Sequence, residues 1–174
     1  MTSIKVLATE KDIEVPAGHH RFVIKQTTPE QNHTFHLRHP ETEVVIVGLV
    51  EASGTNPSLE TSVVHHAPHT RAKTTIKTLS RDKAEPRYRG MIKIEPNSHT
   101  CESFLTHQSL LLGKQAQSWS TPSLEILNNE VKCSHAATIR TITPLDLFYL
   151  QSRGLSVDEA ETILIDAFLN DVQN

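Results

Sequence analysis

Long apolar runs are missing from this chain. The longest stretch, Val44 to Val50, is interrupted by Gly48 and falls far short of the roughly 20 residues that cross a bilayer as a helix. The opening segment MTSIKVLATEKDIEV also lacks the apolar centre of a secretory signal. Cysteine is scarce: Cys101 and Cys133 allow at most one bridge, which excludes a disulfide-built scaffold and suits a reducing compartment. A soluble, cytoplasmic protein is the expectation. Charge of one sign is also lacking, since 17 Lys and Arg face 20 Asp and Glu, so no global basic field gathers nucleic acid or anionic lipid. With only 6 glycines, no phosphate-cradling glycine loop or nucleophile elbow is present, and no metalloprotease motif appears. Nothing in the chain by itself supports catalysis. Aromatic residues make up only 5%, so the core has to be built from Val, Ile, Leu and Ala, which suits thin repeated layers.

What remains is a chain that folds. Its 174 residues fit one domain, or one with a small appendage, and 37% hydrophobic against 21% charged residues is the balance of a globular protein. Short apolar or alternating runs recur at Ile4–Leu7, Arg21–Lys25, Thr34–Leu37, Glu43–Val50, Leu59–Val64, Thr74–Leu79, Met91–Ile94, Ser109–Leu112, Leu124–Ile126 and Val131–Cys133. Turn-forming clusters separate them, among them GTNPS at 54–58, EPNS at 95–98 and LNNE at 127–130. The pattern predicts an all-β body over residues 1–142. A sandwich, a jelly roll and a parallel coil of stacked turns all satisfy it.

Residues 143–174 read differently. Thr143 can cap a helix that opens on Pro144, with Leu145, Phe148 and Tyr149 on one face. Gly154, after Arg153, is its left-handed stop. Ser156 and Glu159 form a capping box for a second helix, whose expected stripe is Ala160, Ile163, Leu164, Ala167 and Phe168. Two short amphipathic helices cannot bury both faces on each other. The stripe therefore packs either on the β body or on another protein.

Histidine is abundant, with 11 residues, and raises the question of a metal. His33, His36 and His39 recur every third residue, a spacing that alternates faces along a strand and so does not converge on one ion. His65, His66 and His69 surround Pro68 without a neighbouring Cys or acid to complete a ligand set, and read as a surface loop. A cupin-like metal-binding protein or metalloenzyme built on these histidines is the alternative from another functional class. Cys133 and His135 differ, because residues two apart on a strand share a face and can present a thiolate and an imidazole together, a pair suited to iron or zinc; a buried Cys beside a hydrogen-bonded His satisfies the same spacing.

The segment EVKCSHAATIRTITPLDLFYLQSRGLSVDEAETILIDAFLNDV, from Glu130 to Val172, closely resembles the C-terminal end of the SufB/SufD family of iron–sulfur cluster assembly components. The stretch from Val63 to Gly113 is similar to that family's central region, with a histidine-rich segment, a YRG-like turn and an LLLG-like run. The resemblance implies a right-handed parallel β-helix followed by a small C-terminal helical domain. SufB-type members carry a cysteine two residues before the serine of a CDSMLIG run, where this chain has His107, and a glutamate after the histidine of an EHEAT segment, where it has Ala136. SufD-type members carry CSHGAT, matched here by Cys133, Ser134 and His135, with Ala136 in the glycine position. The chain is SufD-like, in a short form.

The resemblance further implies a non-catalytic scaffold that pairs with a SufB-like chain or an identical copy and docks a SufC-like ATPase. His135 then stands out as a cluster-site ligand or interface residue, with Cys133 second and His107 third; an iron–sulfur cluster held transiently is the implied cargo. Leu145, Phe148, Tyr149, Arg153 and Gly154 are the implied ATPase dock.

Overall fold

The computed structural model describes residues 3–7, 9–26 and 28–173. Among the described residues, eleven strands are followed by two helices: β1 (Ser3–Leu7), β2 (Asp12–Val15), β3 (His19–Lys25), β4 (Glu30–Leu37), β5 (Glu43–Ser53), β6 (Ser58–His65), β7 (Arg71–Arg81), β8 (Arg87–Ile94), β9 (Cys101–Leu112), β10 (Trp119–Ile126), β11 (Val131–Thr141), α1 (Pro144–Gln151) and α2 (Val157–Gln173). The chain alternates between two sheets, one ordered β1-β3-β5-β7-β9-β11 and the other β10-β8-β6-β4-β2. Every pairing is parallel. This is a parallel β-helix, in which each coil lays one strand on each sheet. Of the three architectures that the strand pattern allows, only the stacked coil has this pairing.

Alternation drives the coil. Along β4 and β6 every second residue is buried, so Phe35, Leu37, Leu59 and Val63 enter the interior while their neighbours face outward. Small aliphatic side chains fill most of that core, with Phe22 edge-on to Phe35 at 5.2 Å. The low aromatic content thus matches narrow layers. Several strands run longer than their apolar segments suggest, because polar side chains occupy interior positions as well: Thr61 meets the Tyr88 hydroxyl at 2.7 Å, and Thr70 bridges His65 Nδ1 at 2.7 Å and Cys101 Sγ at 3.1 Å.

Two sequence expectations change. His65 is not on a loop surface but fully buried at the end of β6, and the YRG segment is no turn: Tyr88, Arg89 and Gly90 lie within β8. Strand β2 has too few apolar residues, Ile13 and Val15, to register as a run, yet pairs with β4 in register.

One corner repeats from coil to coil. Glu41, His69 and Thr100 take left-handed φ values of 60°, 59° and 57°, each two residues before an outward charged side chain. Those charges stack in register as His19, Glu43, Arg71, Glu102 and Lys132. Contacts of 3.0 Å from His19 to Glu43, 4.0 Å from Arg71 to Glu102 and 3.2 Å from Lys132 to Glu102 run along this column. The alternating signs of Glu43, Arg71, Glu102 and Lys132 favour the observed register over a slipped one.

The helices leave the coil as the caps predict. Thr143 and Asp146 close a capping box around Pro144, and Ser156 and Glu159 close another, with Ser156 N–H donating to the Glu159 carboxylate at 2.8 Å. Gly154 has φ of 93°, as its role after the first helix requires. Helix α2 lies on the outer face of the larger sheet, where Leu169 and Val172 join Val47, Leu79 and Leu110 in a second apolar cluster. The buried side matches the expected stripe only in part: Ala160 is buried and Phe168 packs on the sheet, joined there by Ile165, Leu169 and Val172, whereas Ile163 and Ala167 are exposed. The strip on the sheet fixes which side of the helix is covered, and four apolar residues spaced i, i+3, i+4, i+7 offer it the larger area.

Candidate functional site

Two surfaces near the C-terminal end of the chain combine exposed apolar side chains with the residues singled out in the sequence; Ile4 and Val6 on the edge strand β1 are exposed as well. The first is the last coil. Strand β11 pairs with β9 on one side and β10 with β8, and among the described residues neither has a strand on its other side. The inward positions of β11 follow its register with β9: Val131, Cys133, His135, Ala137 and Ile139 stand above Cys101, Ser103, Leu105, His107 and Ser109. Across from them, β10 places Ser120, Pro122, Leu124 and Ile126 above the inward residues of β8. With no further coil above, the side chains that would form the next core layer meet solvent: Leu124, Ile126 and Ile139 are 38%, 40% and 51% exposed. Apolar surface and free backbone edges coincide there.

Cys133 and His135 sit in the middle of this end, two residues apart on one strand face, as their spacing requires. Cys133 is half-buried against the core, and burial pushes its thiol up to about 11, so it is protonated at neutral pH. His135 is exposed. His107 lies one layer deeper, beneath Ala137, and is buried. Its Nε2 meets Thr78 Oγ1 at 2.9 Å and Ser109 Oγ at 3.4 Å, and burial lowers its pKa to about 4, which keeps the ring neutral. The coil therefore brings Cys133 and His135 together at the surface and holds His107 behind them. Ala136 lies within β11 and is not among the residues of positive φ, so the position needs no glycine.

The second surface is α1. None of its residues is buried, and Leu145, Phe148 and Tyr149 are 74%, 66% and 58% exposed. Arg153 places its guanidinium 5.6 Å from the Tyr149 ring centre, and Gly154 turns the chain into α2. A run of three large apolar side chains held on a capped, uncovered helix is the surface expected of a docking element.

The histidine groups form no cupin-like centre. His33 is inside the coil, with Nε2 2.8 Å from Gln31 and Nδ1 on the Glu10 carbonyl; His65 is inside as well; His36 faces outward and His39 is exposed. Among the described residues no group of three or more His, Cys, Asp or Glu side chains converges on a point. The sequence pattern missed the uncovered end itself. Leu124, Ile126 and Ile139 look like ordinary core positions, and only the absence of a further coil distinguishes them.

The SufBD core domain of the SUF system for FeS cluster assembly matches residues 17–168. The chain is 37% identical over 92 residues to the iron–sulfur cluster assembly protein SufD of Escherichia coli, covering 53% of this chain and 22% of that one. It is 31% identical over 114 residues to an iron–sulfur cluster assembly SufBD family protein of Porphyra purpurea, covering 66% of this chain and 23% of the relative. A SufBD family protein of Synechocystis is 30% identical over 114 residues, with 24% of its length covered. The chain thus spans about a quarter of the length of these relatives. A parallel coil with a helical hairpin, matched from residue 17 to residue 168 by one core domain, makes this chain a member of the SufBD family of iron–sulfur cluster assembly proteins.

Proposed function

We propose that this chain is a non-catalytic scaffold subunit of a SUF-type iron–sulfur cluster assembly complex in the cytoplasm. Its β-helix, residues 1–142, pairs through the last coil with a SufB-like chain or an identical copy. Its helical domain, residues 143–174, docks a SufC-like ATPase. The observation that carries this reading is the coincidence, on one uncovered end, of unpaired strand edges, exposed Leu124, Ile126 and Ile139, and the Cys133–His135 pair. A partner strand beside β11 satisfies the free backbone groups and covers the apolar side chains in one step.

Cys133 and His135 then lie at the seam, where a thiolate and an imidazole suit a nascent cluster as ligands; His107 supports them from the layer below. Thiolate formation at Cys133 requires a neighbouring cation, such as iron, because burial alone favours the thiol. The exposed Leu145, Phe148 and Tyr149, flanked by Arg153 and Gly154, form the ATPase dock.

Co-purification with a SufC-like ATPase and a SufB-like chain, read by native mass, tests the scheme. The pair Leu145→Asp and Phe148→Asp is expected to lose the ATPase and keep the β-helix partner. Ile139→Lys is expected to do the reverse. A chain that recruits neither protein, or that loses neither in these variants, overturns the proposal.

A further inference from the structure

A third feature belongs to neither surface. On the outer face of the smaller sheet, His36 from β4 and His66, just beyond the end of β6, come together although 30 residues separate them. Their rings stack with centres 5.3 Å apart and planes inclined by 26°, and His36 Nδ1 lies 3.0 Å from His66 Nε2. On the far side of the His36 ring, the Asp12 carboxylate stands 3.7 Å from Nε2. Glu14 is held by Arg38 at 3.0 and 3.2 Å, and the carboxylates of Glu14 and Glu95 also act on His66.

We infer that His36 and His66 form a two-imidazole site for a borderline divalent transition-metal ion, with water completing the coordination sphere. The argument is geometric. Two nitrogens bound to one tetrahedral ion at about 2.0–2.1 Å stand about 3.3 Å apart, and here they already stand at 3.0 Å. A small opening of the ring pair is enough to admit an ion between them. The Asp12 carboxylate, at 3.7 Å too far for a direct hydrogen bond, acts on His36 Nε2 by charge alone; with the hydrogen on Nε2, the Nδ1 lone pair faces His66.

The proton balance is simple. With His36 in its Nε2–H tautomer, the hydrogen between the two nitrogens of the metal-free pair is carried by His66 Nε2. Metal binding moves that proton to His66 Nδ1 through solvent, so both rings stay neutral and each gives one lone pair. The Arg38 charge is offset by the Glu14 carboxylate, whose two oxygens share the Arg38 Nε–H at 3.0 and 3.2 Å. The other histidine pair, His69 and His99, meets edge to face at 87°, with the ring face of one against the edge of the other, and lacks this chelating arrangement.

Because imidazole donors suit nickel and Cys133 competes for softer ions, the probe is Ni²⁺ titrated calorimetrically into the untagged full chain at pH 7.5. The expected result is one site per chain, weakened at least tenfold in His36→Ala and in His66→Ala and severalfold in Asp12→Asn. His69→Ala and His135→Ala are expected to leave it unchanged. Circular dichroism confirms that each variant is folded, and His66→Gln provides a second removal of the ligand that retains side-chain bulk. A site that survives both His36→Ala and His66→Gln, one that is lost equally in His69→Ala or His135→Ala, or no Ni²⁺ site in the parent chain overturns the inference. None of these outcomes bears on pairing or ATPase recruitment, so this site and the scaffold reading stand or fall separately.

Discussion

The ammonium of Lys77, on the outer face of β7, donates to the backbone carbonyl of Phe168 in α2 and sits 4.9 Å from the centre of that residue's ring. Lys77 is buried at the junction, and the contact joins residues 91 apart in the chain. It fixes the second helix to the coil at a position where the sheet is otherwise apolar, with Leu49 and Leu79 alongside. The helical hairpin is therefore half attached: α2 is anchored and α1 is free to be gripped.

Replacing Lys77 with Met keeps the apolar stem and removes this anchor. A charged hydrogen bond of this kind contributes about 1.5–3 kcal/mol. The variant is expected to lose stability by that order and to expose α2 to proteolysis before the β-helix is cut. Limited proteolysis followed by mass analysis checks the order of cleavage; simultaneous cutting of coil and helix contradicts it.

Acid stability follows from the buried histidines. His65 and His107 are held near 4 by burial, against 6.5 in the unfolded chain, and His33 shifts in the same direction. Above pH 6.5 both states are neutral and the groups add nothing. As pH falls from 6.5 towards 4 the unfolded chain takes up protons that the folded one refuses, so stability falls through that window. Between pH 7.5 and 5 the loss is about 2 kcal/mol for each of His65 and His107. Urea unfolding at the two pH values measures it, and His107→Leu should remove about half of the difference.

Gly90 is required by its neighbours rather than by its backbone angle. A Cβ there would stand 2.4 Å from Leu105 Cδ1 and 2.8 Å from the Tyr88 hydroxyl. Since Tyr88 is nearly fully buried and bonded to Thr61, it cannot withdraw. Gly90→Ala is expected to cost about 1–3 kcal/mol through overpacking, whereas most surface substitutions cost less than 0.5 kcal/mol. A thermal melt of the variant reads this directly.

The Cys133 thiol, raised to about 11 by burial, is expected to alkylate more slowly with iodoacetamide at pH 8 than a free thiol does, and to accelerate as pH rises towards 11. Cys101, with no exposed surface, should stay unmodified while the protein is folded. Peptide mass analysis distinguishes the two sites. Addition of the pairing partner should protect Cys133 further, and an unchanged rate would place the seam elsewhere.

Much of this molecule is written locally. The alternation that buries Phe35, Leu37, Leu59 and Val63 is present in the order of the residues, and so are the two capping boxes, the glycine stop at Gly154 and the shared face of Cys133 and His135. These features depend on neighbours within a few positions, where the periods of strand and helix act. The stacking of the coils was beyond periodicity, because strands in a sandwich alternate in the same way; the resemblance of residues 130–172 and 63–113 to a known family supplied it.

The chain order alone thus determined that strands would form, where the helices begin and end, and which polar pair could share a face. Only the tertiary structure decided which of those faces has a neighbour. His65 and Lys77 became interior, Ile139 and Phe148 became exposed, and His36 met His66, because each outcome depends on whether a distant segment lies alongside. Burial is a property of what packs against a residue, and in a coil whose successive turns lie about 30 residues apart that partner is never close in sequence.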